Sequence, residues 1–289
     1  MTTPQTIILP VDFSARAAVT AAHARVLANQ YGSAIVAVHV MRPFQLAAEG
    51  VDVPSAVVLD WYTQQRPLLE KQLADFVDHH LAGCKVTPLF CEGDPATEII
   101  RVARQWHADL IMIGTHGYSP FRRFLLGSVA AKVLSDSPIP VLTGAHVEAP
   151  ASDVPQVSAI LVATDVDARS SHLIAAGAEL AKSFGAALHV VHASPDDGAG
   201  AGHYVDPSWR IEIARLLQER IEKTAAEAGI DVKVHVIPGE AAKVVRQVAE
   251  TVHADLVVLG RHSDKGLLGR LRTHSYAIIR ESPCPVLSV

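Results

Sequence analysis

Short apolar runs alternate with amphipathic stretches along the chain, a pattern typical of strands separated by helices. In the first half, five strands are predicted at residues 6–11, 34–40, 86–90, 110–113 and 141–144. Four helices are predicted between them: from Ser14 to near Gly32, from about residue 68 to near Gly83, from Asp94-Pro95 onward, and over 127–134. A loop of about 20 residues is expected before the second helix. Strands this rich in Val, Ile and Leu predict a parallel sheet covered by helices on both faces.

The same order of predicted strands and helices occurs twice along the chain. The apolar run ending at Asp12 recurs 153 residues later as the run ending at Asp165, and the tetrapeptide His-Ala-Asp-Leu occurs at 107–110 and 253–256. The second set of strands is predicted near 158–163, 187–193, 232–236, 256–259 and 286–289. A period near 150 residues indicates a duplicated domain rather than a solenoid repeat. We therefore predict a first domain over 1–146, a linker over 147–156 and a second domain over 157–289.

Composition excludes several classes of protein. The 289 residues are 49% hydrophobic and 19% charged, which argues against disorder. The 25 Lys and Arg against 30 Asp and Glu argue against a general nucleic-acid binder. Three scattered cysteines, Cys84, Cys91 and Cys284, predict neither a disulfide framework nor a zinc site. Without a signal-peptide pattern or an apolar run of roughly 20 residues, we expect a cytoplasmic protein with no membrane insertion.

The candidate ligand-binding residues lie where the strands of the first domain end. Ligands of such sheets bind beyond the carboxyl ends of the strands, and Asp12 ends the first strand there. After the fourth strand come Gly114, Gly117 and, nine residues later, Gly127-Ser128 at a predicted helix start. Backbone N–H groups at glycines and at a helix N-terminus suit an anion, so we expect free N–H groups at Gly127 and Ser128. The alternative is that the glycines only end a strand and turn the chain.

The 15 histidines do not predict a metal site. His189 and His192 lie three apart on a strand, so their side chains point to opposite faces. His39 and His192 occupy equivalent positions, and both are expected to be satisfied core histidines. His116 and His262 lie in the loop after the fourth strand of each copy and stay open as ligand contacts. No P-loop motif and no recognisable hydrolase arrangement occurs.

The glycine pattern resembles that of the universal stress protein family, Gly-2x-Gly-9x-Gly-(Ser/Thr), at Gly114, Gly117, Gly127 and Ser128. The family's first-strand pattern matches residues 9–14, and its closing pattern matches 137–142 and 282–287. The resemblance covers nearly the whole chain as two tandem domains. It implies two doubly wound α/β domains of the Rossmann-like, adenine nucleotide alpha-hydrolase-like type, each with five parallel strands in the order 3-2-1-4-5. It also implies ATP or a related adenine nucleotide at the strand ends, possibly with Mg²⁺.

The same resemblance implies the binding residues by position. Around adenine and ribose it places Pro10, Val11, Asp12 and the backbone of Val40. Around ribose and the first phosphates it places Ile113, Gly114, Thr115, His116 and Gly117. Around the terminal phosphates it places Gly127, Ser128 and Val129. It assigns no catalytic residue and no protein ligand for a metal.

The second copy departs from the pattern. Asp165 and Gly260 are retained, but Ser263 replaces the second glycine, and Arg272 or Thr273 stands where the first copy has Gly127. We therefore expect a degenerate nucleotide motif and a mainly structural second domain.

The preferred hypothesis is a binding protein that regulates or senses stress through nucleotide occupancy of its first domain. Two alternatives stay open. One is a slow ATPase or autophosphorylating enzyme, with Ser128, Thr115 and Ser119 near the phosphates and His116 as the candidate base. The other is a nucleotide-independent carrier or scaffold that shelters an apolar ligand at 44–59. Family members commonly pair through their fifth strands, which implies an intramolecular pseudo-dimer of the two domains and leaves a homodimer open.

Overall fold

The computed structural model describes residues 4–43, 54–115, 126–144, 157–167, 170–194, 207–260 and 270–289. These residues divide into two compact units, one within 4–144 and the other within 157–289. The predicted linker, 147–156, lies outside the described residues, so its limits stay a prediction.

The first unit is a parallel sheet with connecting helices. Its elements are β1 (Thr6–Pro10), α1 (Ala15–Tyr31), β2 (Ala34–Met41), α2 (Ser55–His80), β3 (Lys85–Glu92), α3 (Pro95–Gln105), β4 (Leu110–Ile113), α4 (Ser128–Asp136) and β5 (Val141–Thr143). The strand order is β3-β2-β1-β4-β5, with every pair parallel, which confirms the predicted order 3-2-1-4-5. The core lies between sheet and helices: the middle of β1 and all of β4 are buried.

The second unit repeats this topology. Its elements are β6 (Ala159–Ala163), α5 (Ser170–Phe184), β7 (Ala187–Ser194), α6 (Pro207–Glu227), β8 (Lys233–Pro238), α7 (Ala241–Thr251), β9 (Leu256–Leu259), α8 (Arg270–Glu281) and β10 (Val286–Ser288). Its strands follow the order β8-β7-β6-β9-β10, again all parallel. Among the helices of the described ranges, none is long and apolar enough to cross a membrane.

The predicted helix caps of the first unit are confirmed. Ser14 caps α1, because its Oγ accepts the N–H of Ala17 at 3.2 Å. The same helix ends at Gly32, whose φ of 71° is the left-handed conformation that favours glycine. Asp94 caps α3 through the N–H of Thr97 at 3.0 Å.

The predicted start of α2 is wrong. The helix begins at Ser55, and Pro67, just before its predicted start, lies inside it. The buried residues of α2 are Leu73 and Phe76, both in its second half, whereas Leu59 in the first half is 68% exposed. The first half therefore has no buried apolar stripe that would predict a helix. In addition, a proline is typical of a helix start, so Pro67 favours a start near residue 68 in the sequence alone. The loop before α2 is correspondingly shorter than predicted.

A carboxylate joins the starts of the two central strands of the first unit. Asp109, directly before β4, accepts the N–H groups of Gln5 (2.8 Å) and Thr6 (3.0 Å) on one oxygen, Oδ2. The N–H of Asp109 donates in return to the carbonyl of Thr6 at 3.0 Å. These bonds fix the offset between β1 and β4, in which Ile7 lies opposite Leu110.

The second unit has the same arrangement. Asp255 accepts the N–H groups of Ser158 (2.7 Å) and Ala159 (3.1 Å). The residues two positions before these carboxylates, His107 and His253, take positive φ angles of 47° and 50°. The repeated tetrapeptide His-Ala-Asp-Leu is therefore explained by strand pairing, since the turn and the carboxylate both serve the sheet.

Replacing Asp109 by Ala is expected to lower the free energy of unfolding by about 1–3 kcal/mol, because two backbone N–H groups lose their acceptor. Asp109→Asn keeps one side-chain oxygen and is expected to cost less. Urea denaturation measures both. Asp78→Ala, which removes an exposed carboxylate from α2, is the control. Equal stability of the Asp109→Ala and Asp78→Ala variants would contradict the role given to the carboxylate.

Candidate functional site

A cavity of about 370 Å³ lies where β1 and β4 of the first unit end. This volume falls in the range of small-molecule sites. The predicted site residues that line it are Pro10, Val11, Asp12, Val40, Ile113, Gly114, Thr115, Gly127, Ser128 and Val129. His116 and Gly117, also predicted, lie outside the described residues. The structure thus brings together the predicted residues that it describes, from three strand ends and one helix start.

The cavity has further lining residues that sequence analysis did not assign to it: Ser14, Ala17, Val38, His39, Arg42, Pro95, Ile99 and Ala130. Pro95 and Ile99 come from the start of α3, where Ile99 is only 2% exposed. The amphipathic pattern of α3 marks Ile99 as a core residue and gives no sign that the core borders a cavity. Arg42 directly follows β2 and is exposed. Its position after a strand end was the one feature of the sequence that could have indicated a place at the cavity.

The start of α4 forms one wall of the cavity. The helix begins at Ser128 with Gly127 as its N-cap, and no side chain caps it. In α1 and α3, by contrast, side chains of Ser14 and Asp94 accept an N–H from the first turn. Among the residues that the structure describes, no capping side chain accepts an N–H from the first turn of α4, and such a helix start suits a negatively charged group.

The expectation of a free N–H at Gly127 is wrong. This N–H donates to the carbonyl of Thr115 at 2.8 Å, so it is not available to a ligand. Gly127 also lies at φ −60° and ψ 143°, a conformation open to any residue. Gly127 lines the cavity without needing a backbone conformation that is reserved for glycine.

An ion pair joins the two helices that border the cavity. Lys132 on α4 donates to Asp94 at 2.9 Å, and Thr97 donates to the same carboxylate oxygen through its hydroxyl at 2.6 Å. The hydrogen bonds from Thr97 and Lys132 lower the pKa of Asp94 to about 2. This half-exposed ion pair links the start of α3 to α4.

Both strand histidines are hydrogen-bonded as predicted, but only His192 is buried in the core, whereas His39 is half-buried and lines the cavity. Nδ1 of His39 donates to the carbonyl of Val11 at 2.7 Å, and Nδ1 of His192 donates to the carbonyl of Thr164 at 2.8 Å. Burial lowers the pKa of His39. Each histidine therefore connects the second strand of its unit to the residue directly after the first strand.

The histidine on the other face of β7 has a partner that sequence analysis missed. Nδ1 of His189 lies 3.1 Å from Nε2 of His235 on the neighbouring strand β8. Their rings stack with centroids 5.4 Å apart. Within the described ranges, no group of three or more His, Cys, Asp or Glu side chains is placed to hold a metal ion. The loop histidine His262, like His116, lies outside the described residues.

The retained residues of the second copy follow the corresponding strands. Asp165 comes after β6, and Gly260 comes directly after β9. Ser263 lies outside the described residues, and Arg272 and Thr273 belong to the first turn of α8, where only the backbone is described. The predicted degeneration of this site stays a prediction.

Comparison with known proteins identifies the family. The model of the universal stress protein family matches residues 4–143 and again residues 157–289. The chain belongs to the universal stress protein family. The two matches correspond to the two compact units, so this universal stress protein carries the family fold twice.

Individual relatives align with about half of the chain. Universal stress protein MJ0531 of Methanocaldococcus jannaschii is 34% identical over 139 residues, which are 47% of this chain and 79% of the relative. Universal stress protein A homolog 1 of Coxiella burnetii is 30% identical over 45% of this chain and 94% of the relative. A universal stress protein structure from Archaeoglobus fulgidus covers 99% of this chain and 96% of its own, with a TM-score of 0.70 and 23% identity. At that identity the structural likeness concerns the fold.

The stabilisation by Asp94 is expected to depend on pH. Its pKa is lowered in the folded chain, so the carboxylate stabilises the fold above about pH 4, and this contribution is lost as pH falls towards 2. Because the side chain is 54% exposed, the contribution is about 1 kcal/mol or less. Asp94→Asn keeps a side-chain cap but loses the charge.

Urea denaturation of the wild type and Asp94→Asn between pH 7 and pH 2 measures this effect. The difference in free energy of unfolding should shrink over the last two pH units, and Lys132→Met should reproduce the loss seen at neutral pH. A difference that stays constant over the whole range would contradict the assignment.

Proposed function

We propose that the first domain of this universal stress protein binds ATP or a related adenine nucleotide, and that this occupancy regulates or senses stress in the cytoplasm. The observation that supports the proposal most is one cavity that combines the carboxylate of Asp12 with the start of α4. A nucleotide needs acceptors for its sugar hydroxyls and donors for its phosphates. One end of this cavity supplies an acceptor for the sugar hydroxyls, and the other end supplies donors for the phosphates.

The end near β1 and β2 suits a nucleoside. Asp12 offers a carboxylate acceptor for hydroxyl groups. Val38, Pro95 and Ile99 line the cavity and add apolar surface against which a base can pack. The backbone of Val40, at the end of β2, is the proposed contact of the adenine edge.

The end near α4 suits phosphates. Ser128 is exposed there and adds a hydroxyl donor to the N–H groups of the first helical turn. Asp12 is the acidic side chain among the described cavity residues. A Mg²⁺ ion that accompanies a triphosphate would therefore take most of its ligands from phosphate oxygens and water.

The second domain is proposed to be mainly structural, so that one chain binds one nucleotide. Pairing of the two domains within one chain, and further association into a homodimer, belong to the same proposal. Both associations are proposed because members of the family commonly pair through their fifth strands.

Nucleotide extraction from the purified protein, followed by calorimetric titration with ATP in the presence and absence of Mg²⁺, tests the proposal. We expect one ATP per chain. Gly127→Val should weaken ATP binding at least about tenfold, because it adds a branched side chain to a residue that lines the cavity, at a backbone conformation that valine readily adopts. Failure of the wild type to bind ATP, or unchanged affinity in Gly127→Val, would overturn the proposal.

A milder variant separates the phosphate contact from cavity volume. Ser128→Ala removes one hydroxyl donor and is expected to weaken ATP binding about five- to tenfold. Ser55→Ala is the matched control, since Ser55 is also an exposed serine that opens a helix, α2, and does not line the cavity. Phosphate release in the same samples tests the enzymatic alternative. Release that disappears in Gly127→Val together with binding would favour an ATPase.

A further inference from the structure

The carboxylate of Asp12 is held by a neighbouring serine. The hydroxyl of Ser14 donates to Oδ1 of Asp12 at 2.6 Å, and the N–H of Ser14 donates to the same oxygen at 3.0 Å. Oδ2 of Asp12 accepts no hydrogen bond from the residues that the structure describes. One oxygen is thus occupied within the protein, and the other is left for a ligand in the cavity.

Ser14 is itself fixed in place. It is only 6% exposed, and its Oγ accepts the N–H of Ala17 as the N-cap of α1. A hydroxyl has a single hydrogen, so while Ser14 accepts from the helix its one donation goes to Asp12. The orientation of the carboxylate therefore follows the position of the first helical turn.

The residue between the two is held in an unfavourable backbone conformation. Phe13 lies at φ +62°, where a bulky side chain is rarely found. Its ring stacks on His39 with centroids 4.4 Å apart, and His39 donates to the carbonyl of Val11. Such a conformation persists only where its surroundings impose it, so the turn from Val11 to Ser14 is rigidly determined.

We propose that Ser14 is a positioning residue for nucleotide recognition. It holds Asp12 so that Oδ2 accepts hydrogen bonds from the hydroxyl groups of a ribose in the cavity, and it thereby sets the preference for a ribonucleotide over an analogue without those hydroxyls. This inference rests on the proposed function of the first domain. It adds a determinant of sugar specificity outside the glycine motif.

The second copy lacks this determinant. Asp165 occupies the position of Asp12, and Asp167 occupies the position of Ser14, both 153 residues further along the chain. A carboxylate cannot donate a hydrogen bond, and two negative charges at this spacing repel each other. The second domain thus differs from the first at the sugar end of the site as well as in its phosphate loop.

Ser14→Asp introduces the residue of the second copy and tests the proposal. Asp remains a good N-cap, so α1 keeps its acceptor, while Asp12 loses the hydroxyl donor and keeps only the backbone N–H of residue 14. ATP and 2′,3′-dideoxy-ATP are titrated calorimetrically against the wild type and the variant. We expect ATP to bind about tenfold more weakly and the dideoxy analogue to bind nearly unchanged, so that the preference for ATP is lost.

Three further variants keep the test decisive if Ser14→Asp folds poorly. Ser14→Ala should also lose the preference, whereas Ser14→Thr, which retains a hydroxyl, should keep it. In an Asp12→Asn background, Ser14→Ala should have no further effect on the preference. Thermal melting monitors folding in each case.

The outcomes separate the two proposals. A wild type that binds no ATP overturns the proposed function and this inference with it. A wild type that binds ATP, with a preference unchanged in Ser14→Asp and Ser14→Ala, overturns only the role of Ser14. Equal weakening of ATP and the dideoxy analogue would mean that Ser14 serves the fold alone.

Discussion

The offset between β1 and β4 is the constraint on which the rest of the first domain depends. It is set by one carboxylate, Asp109, which accepts two N–H groups at the start of β1. With Ile7 opposite Leu110, the last residues of β1 and β4 lie level with each other, so Asp12 and Gly114 emerge at one edge of the sheet. A slip of one residue would turn every side chain of β1 to the other face and separate the residues of the cavity. The site therefore depends on an interaction at the opposite edge of the sheet.

The two copies share the features that pair the strands and shape the turns, and they differ in residues at the candidate site. Asp255 repeats the carboxylate arrangement, His192 repeats the bond of His39, and Val166 repeats the positive φ of Phe13 at 58°. These features serve pairing and turns, so both domains need them whatever they bind. The glycine pattern and Ser14 are not repeated, and neither is required for the sheet. Family membership accounts for the shared features, and the function proposed for this chain combines a shared carboxylate, Asp12, with features that differ between the copies.

The sequence was informative wherever a local pattern decides the structure. Strand positions and the caps at Ser14 and Asp94 were predicted, because apolar periodicity and capping residues act over a few positions, whereas the strand order came from the family resemblance. The start of α2 was not, since its exposed first half has no apolar stripe and Pro67 resembles a helix start. The parallel topology placed Asp12 and the glycines after β4 at the cavity, the family resemblance supplied its other predicted residues, and whether they bind nucleotide is left to experiment.

Contacts between distant residues could not be predicted in this way. The approach of Ile99 to the cavity depends on how α3 packs. The bond between Lys132 and Asp94 depends on the separation of two helix starts. The donation from Gly127 to Thr115 likewise exists only once α4 is docked beside β4.

That last bond bears on how this part of the sequence can change in evolution. It fastens the residue before α4 to the second residue after β4, so the segment between them, 116–126, has both its ends fixed. The entropy cost of closing a loop grows only slowly with its length. We therefore expect insertions or deletions in this segment to leave the bond between Gly127 and Thr115 intact. The length of the segment between β4 and α4 can thus vary at little cost in free energy to the sheet.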